Sequence, residues 1–483
     1  MTNLFNRKPN LQSLTSNNQH LLQIIANQIA TSPNKRITFA QFMELALYHP
    51  EAGYYATGAV NIGSEGDFFT SPHLSKDFGE LLAVQFAQMW DILGNPTPFT
   101  LIEMGAGQGL LAADILGYLH QHYPDLFNAL EYIIVEKAAG LIAQQQQQIQ
   151  QLNLESPLPS PPLIKGRGQE QDIYFSSQGE LNKIDVGGIP VRWCSFEDIS
   201  ENSITGCFFS NELVDAFPIH QFIIEEGKLK EIYVTFEGIG EWGVVGAKHS
   251  GDTISFSPGY SSANASPLQE WGEDNTIKFV EVTDIPSTSG LNDYFDLVGI
   301  NLFDGAYPDG YRSEVNLATL DWLNTVATKL KRGFILTIDY GYSAQRYYLP
   351  ARNQGTLQCY YRHQHHNNPY LYIGEQDITA HVNFTTLERQ GELCGLETVG
   401  FTQQGLFLMA LGLGDRIFAL STNSSNRIAK GEDIINIMRR RDVLHQLINP
   451  TGLGGFGILV QSKGLSEMEK RQQLKGLTVP PMV

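Results

Sequence analysis

Short apolar runs alternate along this chain with stretches whose apolar residues recur at helical spacing, and that alternation predicts the fold before any motif is read. Residues 100–104 form an apolar run of strand character, and residues 110–122 repeat apolar positions three and four apart. A strand leading into a helix is expected there. The pair recurs at 131–136 and 138–151, followed by strands at 190–194 and 206–210. A helix over 315–331 then feeds a strand at 333–339, and a late pair lies near 398–403 and 455–461. Strands separated by helices argue for a parallel sheet covered on both faces, with the late pair as an antiparallel edge. The expected class is α/β, a Rossmann-like doubly wound sheet with an antiparallel edge strand and an inserted α+β subdomain.

Two interruptions mark the organisation. Residues 144–185 carry a glutamine run and then Ser-Pro-Leu-Pro-Ser-Pro-Pro, a composition that cannot bury enough apolar surface to order itself. A disordered insertion without function is expected there, its start extending the preceding helix. Residues 217–313 separate two core strands, and their first part, 221–236, alternates like a hairpin. This excursion reads as a substrate-side subdomain. The chain therefore divides into an N-terminal helical segment contributing to a cofactor site (1–99), a first core half (100–216), the inserted subdomain (217–313), a second core half (314–465) and a C-terminal tail (466–483).

Composition narrows the partners. The chain has 483 residues, 42% hydrophobic, with 51 acids against 32 bases and a formal charge of −19. That charge repels a nucleic-acid backbone and favours basic protein or peptide partners. Four cysteines, Cys194, Cys207, Cys359 and Cys394, form no C-x-x-C pair and suggest neither a zinc ribbon nor a disulfide framework. No run approaches about 18 consecutive apolar residues, so no stable membrane insertion is expected. Residues 1–43 lack acids but hold Arg7, Lys8, Lys35 and Arg36, a faint transit-peptide hint. It is discounted because arginine is sparse and the helical pattern from Leu21 begins too early.

The chemistry concentrates at the ends of the predicted strands. Glu103 is followed by Gly105, Gly107 and Gly109 and then by a helix, so backbone amides and a helix N-terminus converge on one spot. A dinucleotide fingerprint is G-x-G-x-x-G; this loop is G-x-G-x-G behind an acid able to accept from an ammonium group. That is the pattern of class I S-adenosylmethionine (SAM) methyltransferases, the alternative being an ordinary glycine turn. Glu136 closes the second strand, where such folds present a carboxylate to ribose hydroxyls; a solvated strand-end charge is the other reading. Asp67, Thr70 and Ser71 are either cofactor contacts or the cap of a helix starting near Leu74. Asn211, Glu212 and Asp215 follow the 206–210 strand and should face a methyl donor, where a planar carboxylate suits a guanidinium. Glu314, placed at the start of the 315–331 helix, offers a second carboxylate or merely favours the helix dipole. The run from Arg362 to Asn368 with its histidines matches no zinc module and reads as a polar flap or surface loop, so no metal is expected.

Taken in order, Ile37-Thr-Phe-Ala-Gln-Phe-Met, Tyr48-His-Pro-Glu-Ala-Gly-Tyr-Tyr, Gly66-Asp-Phe-Phe-Thr-Ser-Pro, Glu103-Met-Gly-Ala-Gly-Gln-Gly and Asn211-Glu-Leu-Val-Asp-Ala-Phe-Pro-Ile-His form a specific series. Tyr307-Pro-Asp-Gly-Tyr, Ile338-Asp-Tyr-Gly, Gly355-Thr-Leu and Asp377-Ile-Thr-Ala-His-Val-Asn-Phe-Thr continue it. The chain resembles the MidA-like SAM-dependent methyltransferases, relatives of the mitochondrial complex I assembly-factor arginine methyltransferases. The resemblance implies a class I methyltransferase core using S-adenosyl-L-methionine, whose inserted subdomain completes the active site. It further implies a protein arginine acceptor, symmetric dimethylation and a respiratory complex I-type subunit as substrate during assembly. One departure stands out: the glutamate loop of arginine methyltransferases carries two glutamates, and here only Glu212 is present, with Asp215 and Glu314 as substitutes. The implied compartment is the bacterial cytoplasm or, alternatively, the mitochondrial matrix, and the oligomeric form stays open, a homodimer included. The rivals are a SAM-binding assembly chaperone without chemistry and a dinucleotide oxidoreductase, which the glycine spacing opposes.

Overall fold

The computed structural model describes residues 16–57, 70–152, 154, 183–237, 277–362, 364–426 and 431–479. Its main sheet has eight strands: β1 (Phe99–Met104), β2 (Leu130–Val135), β3 (Lys183–Val186), β4 (Ile189–Cys194), β5 (Ile204–Asn211), β6 (Leu330–Asp339), β7 (Glu397–Gln403) and β8 (Gly457–Lys463). They lie in the order β7-β8-β6-β5-β1-β2-β4-β3. The five central strands run parallel. Both edges turn antiparallel, β8 against β6, β7 against β8, and β3 against β4.

Apolar residues on both faces explain the layering. Leu101 packs with Phe86, Leu111 and Ile115 under the helices Asp77–Ile92 and Leu110–His122. Its neighbour Ile102 points the other way, to Leu323 and Val326 of the helix Ala318–Lys329. Adjacent strand residues face opposite sides, so a strand buried on both must be apolar throughout. The order breaks at β1, with β2 on one side and β5 on the other, so the crevice beyond the carboxyl ends of these strands is where an open α/β sheet binds ligands.

A second sheet caps that crevice. Ile37–Thr38, His220–Glu225, Lys228–Glu237, Lys278–Asp284 and Arg312–Val315 pair antiparallel. The helices Ser16–Thr31 and Phe39–Tyr48 cover one face, burying Leu21, Ile25, Phe42 and Met43 against Val234 and Phe279. A reciprocal cap starts the second helix: Gln41 N donates to Thr38 Oγ1 (3.1 Å) and Thr38 N to Gln41 Oε1 (3.0 Å). The helix Gly290–Val298 closes the other face, with Phe295 edge-on to Phe222. The excursion is therefore not self-contained, since the N-terminal segment supplies one strand and two helices of the same cap.

Two further expectations change, and the described part of the C-terminal tail is seen to pack. Glu314 lies in the strand Arg312–Val315, and the helix begins only at Ala318. The glutamine run extends the preceding helix to Gln150, as expected, with Gln145 buried, but Lys183–Val186 is a strand where disorder was expected; residues 155–182 lie outside the described residues. The C-terminal tail packs: Leu474 is buried and Gly476 N donates to Gln85 Oε1 (2.8 Å).

Candidate active site

At the end of β1 the chain must turn sharply, and three glycines let it. Gly105, Gly107 and Gly109 have φ of +72°, +52° and +80°, left-handed values that side chains resist. Space is also short. A Cβ on Gly105 would sit 2.7 Å from Leu213 Cδ1, and one on Gly109 3.0 Å from Gln145 Cα. The helix Leu110–His122 starts directly after, so its free amides point into the turn.

The loop opens on a cavity of about 1320 Å³ between the main sheet and the cap. Glu103, Gly105, Gly107, Glu136, Asn211 and Glu212 line its sheet side; Gln41, Glu44, Tyr48 and Tyr55 line the cap side. Glu103 is buried, and Tyr132 donates its hydroxyl to Oε2 at 2.6 Å. Burial pushes its carboxyl up to about 7 against the lowering effect of that bond. Glu136 Oε1 accepts from Lys137 N (2.9 Å) and Ala138 N (3.0 Å), while Gln145 Nε2 donates to Oε2 (3.1 Å). Burial raises this carboxyl too, and the three donors oppose the shift.

Gln145 escaped the sequence reading. Fully buried, it also donates from Nε2 to Gly107 O (2.8 Å) and accepts from Trp193 Nε1 (2.8 Å), tying the glycine loop to Glu136 and to β4. Nothing distinguishes it within its run of glutamines. Only the helix phase turns it toward the loop.

The remaining candidates separate. Thr70 lines the cavity. Its hydroxyl lies 2.6 Å from His73 Nδ1, and His73 Nε2 lies 3.2 Å from Gln108 Oε1; a neutral ring protonated on Nε2 satisfies both contacts. Burial keeps that ring below its usual pKa. Ser71 is buried away from the cavity, paired with Gln404, and its backbone amide supports the Glu212 carboxylate. Asp67 lies outside the described residues.

Glu212 follows β5 with φ +51°, an uncommon value held by its amide donating to Ile338 O at 2.9 Å. Asn211 Nδ2 donates to its Oε1 (3.0 Å). Burial first, then the charge of Asp215, pushes Glu212 up to about 8. Asp215 stands behind it, buried, raised by desolvation and by Asp339 and Asp377. Glu314 is not brought to the cavity. Its carboxylate is consumed inside the cap by Thr356 N (3.0 Å), Leu357 N (3.2 Å) and the Thr356 hydroxyl (3.2 Å), because its strand directs it onto the 356–357 backbone. His365 and His366 sit on the short strand Gln364–His366, where a flap or loop was expected. No described helix is long and apolar enough to cross a membrane.

The glycine cradle, the helix N-terminus and the fixed carboxylate at Glu136 suit a cofactor carrying an amino acid moiety and a ribose. Comparison with known proteins agrees. The chain is 26% identical over 422 residues to the rat protein arginine methyltransferase NDUFAF7, mitochondrial, covering 86% of this chain and 79% of the relative. The zebrafish (Danio rerio) protein of the same name is 25% identical over 480 residues, 97% and 93% of the two chains. A crystal structure of a COG1565 superfamily member from Burkholderia thailandensis bound to S-adenosyl-homocysteine superposes with a TM-score of 0.68 at 26% identity, over 95% of this chain and 94% of that one. The family model Methyltransf_28, S-adenosyl-L-methionine-dependent methyltransferase, matches residues 81–402, and the chain belongs to that family, with S-adenosyl-L-methionine as its cofactor.

Proposed function

We propose that the protein is a protein arginine N-methyltransferase that forms symmetric dimethylarginine on a respiratory complex I-type subunit during assembly. The observation that carries this reading is Glu212, a strained and half-buried carboxylate on the cavity wall, next to the loop that cradles the cofactor. The names of the rat and zebrafish relatives support the arginine acceptor. When bound, the cofactor supplies a methyl group already activated on sulfonium sulfur.

The chain's own groups have three tasks. Gly105, Gly107, Gly109, Glu103 and Glu136 hold the cofactor, with Thr70 and Asn211 at the cavity edge. Glu212 accepts hydrogen bonds from the acceptor guanidinium, and its charge, restored as the cation enters, fixes one nitrogen in line for transfer. The cap excludes water. Positioning of this kind removes roughly 7–11 kcal/mol of barrier at best, so a strong base is not required of the protein. Asp215 supports Glu212 from behind, and Glu314 has no part in the chemistry.

The test is Glu212→Gln in a tritium-transfer assay with a purified complex I subunit. Retained S-adenosyl-homocysteine binding with lost turnover is expected. Unchanged methylation rejects the role, and lost cofactor binding moves Glu212 to the cofactor set. Mass spectrometry of arginines in cells with and without the protein identifies the acceptor and its methylation state.

A further inference from the structure

Tyr48 and Tyr55 present rings rather than hydroxyls to the cavity they line. The helix Phe39–Tyr48 ends at the first of them, and the chain doubles back at once, Tyr54 N donating to Ala46 O and Tyr55 N to Leu47 O, both at 3.0 Å. Gly53 permits the reversal, since a Cβ there would sit 2.5 Å from His49 N. Tyr55 is thereby laid against Tyr48, ring centroids 5.2 Å apart and planes 29° from parallel. Both hydroxyls are committed to the protein: Tyr48 donates to Ala216 O and Tyr55 to Asp377 Oδ1, each at 2.8 Å.

With Tyr55 stacked against it, the Tyr48 ring still meets a cation. Lys137 Nζ stands over it, 5.9 Å from the centroid, within the roughly 6 Å reach of a cation–π attraction. Lys137 lines the same cavity, is exposed, and its ammonium enters no hydrogen bond or ion pair among the described residues. Glu136 beside it already holds three other donors. A flexible ammonium held by a ring alone is easily displaced. Burial holds the Tyr48 hydroxyl well above its usual pKa, and Asp377, Glu44, Asp215 and Glu136 push the same way. The ring is therefore a neutral phenol amid acids, a setting that favours a cation on its face. Methyl transfer brings such cations here: the cofactor carries a sulfonium where its product has a neutral thioether, and an arginine acceptor carries a guanidinium.

We propose that Lys137 is a cation placeholder: in the empty cavity its ammonium occupies the Tyr48 ring, which an organic cation, sulfonium or guanidinium, takes over on binding. The ring thereby selects the charged ligand over its neutral counterpart, and Lys137 sets the threshold a ligand must exceed. Where the ligand is the cofactor, Lys137 reclaims the ring from neutral S-adenosyl-homocysteine and favours exchange of product for fresh cofactor. The sulfonium case needs the cofactor alone; the guanidinium case rests on the arginine reading above.

Calorimetry on the full chain measures binding of S-adenosyl-L-methionine, of S-adenosyl-homocysteine and, with the latter saturating, of capped arginine, for wild type, Tyr48→Leu, Lys137→Met and the double variant. Lys137→Met should bind the cationic probe about threefold more tightly and S-adenosyl-homocysteine as before. Tyr48→Leu should lose about threefold for the same cation, and removing Lys137 in that background should bring no gain. A shift in the ratio of S-adenosyl-L-methionine to S-adenosyl-homocysteine affinity assigns the ring to the sulfonium, and a shift for capped arginine alone assigns it to the guanidinium; either upholds the placeholder. If Lys137→Met gains as much without the ring as with it, its charge acts on the surrounding acids and the inference is overturned, as it is if no variant alters the binding of any cation. Should Tyr48→Leu fail to fold, Lys137→Met decides: a gain confined to a cationic probe upholds the placeholder, and no gain, or an equal gain for S-adenosyl-homocysteine, overturns it. If no protein arginine is methylated while the preference for sulfonium follows Tyr48, the proposed function falls and the placeholder stands. If arginine is methylated and no variant changes any cation affinity, the function stands and the placeholder falls.

Discussion

Backbone strain and one side-chain clamp define the cofactor end of the cavity, and each makes a prediction about a single residue. Gly109 needs φ +80° and has no room for a Cβ against the Gln145 backbone. Gly109→Ala should therefore cost roughly 1–2 kcal/mol of stability from the left-handed conformation alone. It should also weaken S-adenosyl-homocysteine binding, because the helix carrying Gln145 must move; denaturant titrations with and without ligand read both effects. Glu136→Gln is the complementary case. Its carboxylate faces two backbone donors and the Gln145 amide, so a neutral amide in its place sets one donor against another. An affinity loss of about tenfold is expected, with little change in Tm. A variant that binds normally would return Glu136 to being a plain strand-end charge.

Among the elements, the cap is held by charge as well as by apolar packing. Arg312 Nη1 and Nη2 reach Glu281 Oε2 and Oε1, both at 2.7 Å, and Tyr370 donates to the same carboxylate at 3.0 Å, joining the Arg312–Val315 and Lys278–Asp284 strands to the 370 segment. Each partner is about a quarter exposed, with solvent screening most of the Coulomb energy. Glu281→Gln should destabilise the protein by up to about 1 kcal/mol while leaving S-adenosyl-homocysteine affinity intact. Urea unfolding beside ligand titration separates cap from cofactor site, and a parallel loss of both would show that the cap also shapes the cradle. The elements themselves differ in how far the sequence discloses them. β1, β2 and β6 are legible because strands buried on both faces are mostly apolar, and the predicted bounds miss theirs by three residues at most. The Gly loop and Glu212 are legible because strand ends and glycine spacing are local. Glu314 is misplaced because Arg312–Val315 is four residues long; the true cue is Asn316, whose Oδ1 accepts from Thr319 N at 3.1 Å just before the helix. Gln145 acts through a contact 38 residues away from it in sequence, a distance across which no local pattern speaks.

At the scale of the whole molecule, acid is the theme twice over, as a formal net charge of −19 spread largely over the surface and as a group of acids at the cavity, and the two can be told apart by pH and salt. Burial pushes Glu103 up to about 7 and both Glu212 and Asp339 up to about 8, from ordinary values near 4. Between those limits the folded chain holds protons that the unfolded chain has lost. The difference in bound protons, unfolded minus folded, is then negative, and stability declines as pH rises. The contribution is whole below the ordinary carboxylate pKa and gone above about 8. Surface self-repulsion acts in the same direction, but salt screens it over about 10 Å at 0.1 M and scarcely touches buried groups. The Tm of the ligand-free protein should therefore fall as pH rises from about 5 to about 8, and most of the fall should persist in about 0.5 M salt. Glu212→Gln, which removes one buried titration, should flatten the curve. If salt abolishes the slope, or if the variant leaves it unchanged, the surface charge is its source and the buried wall is already neutralised by some other means.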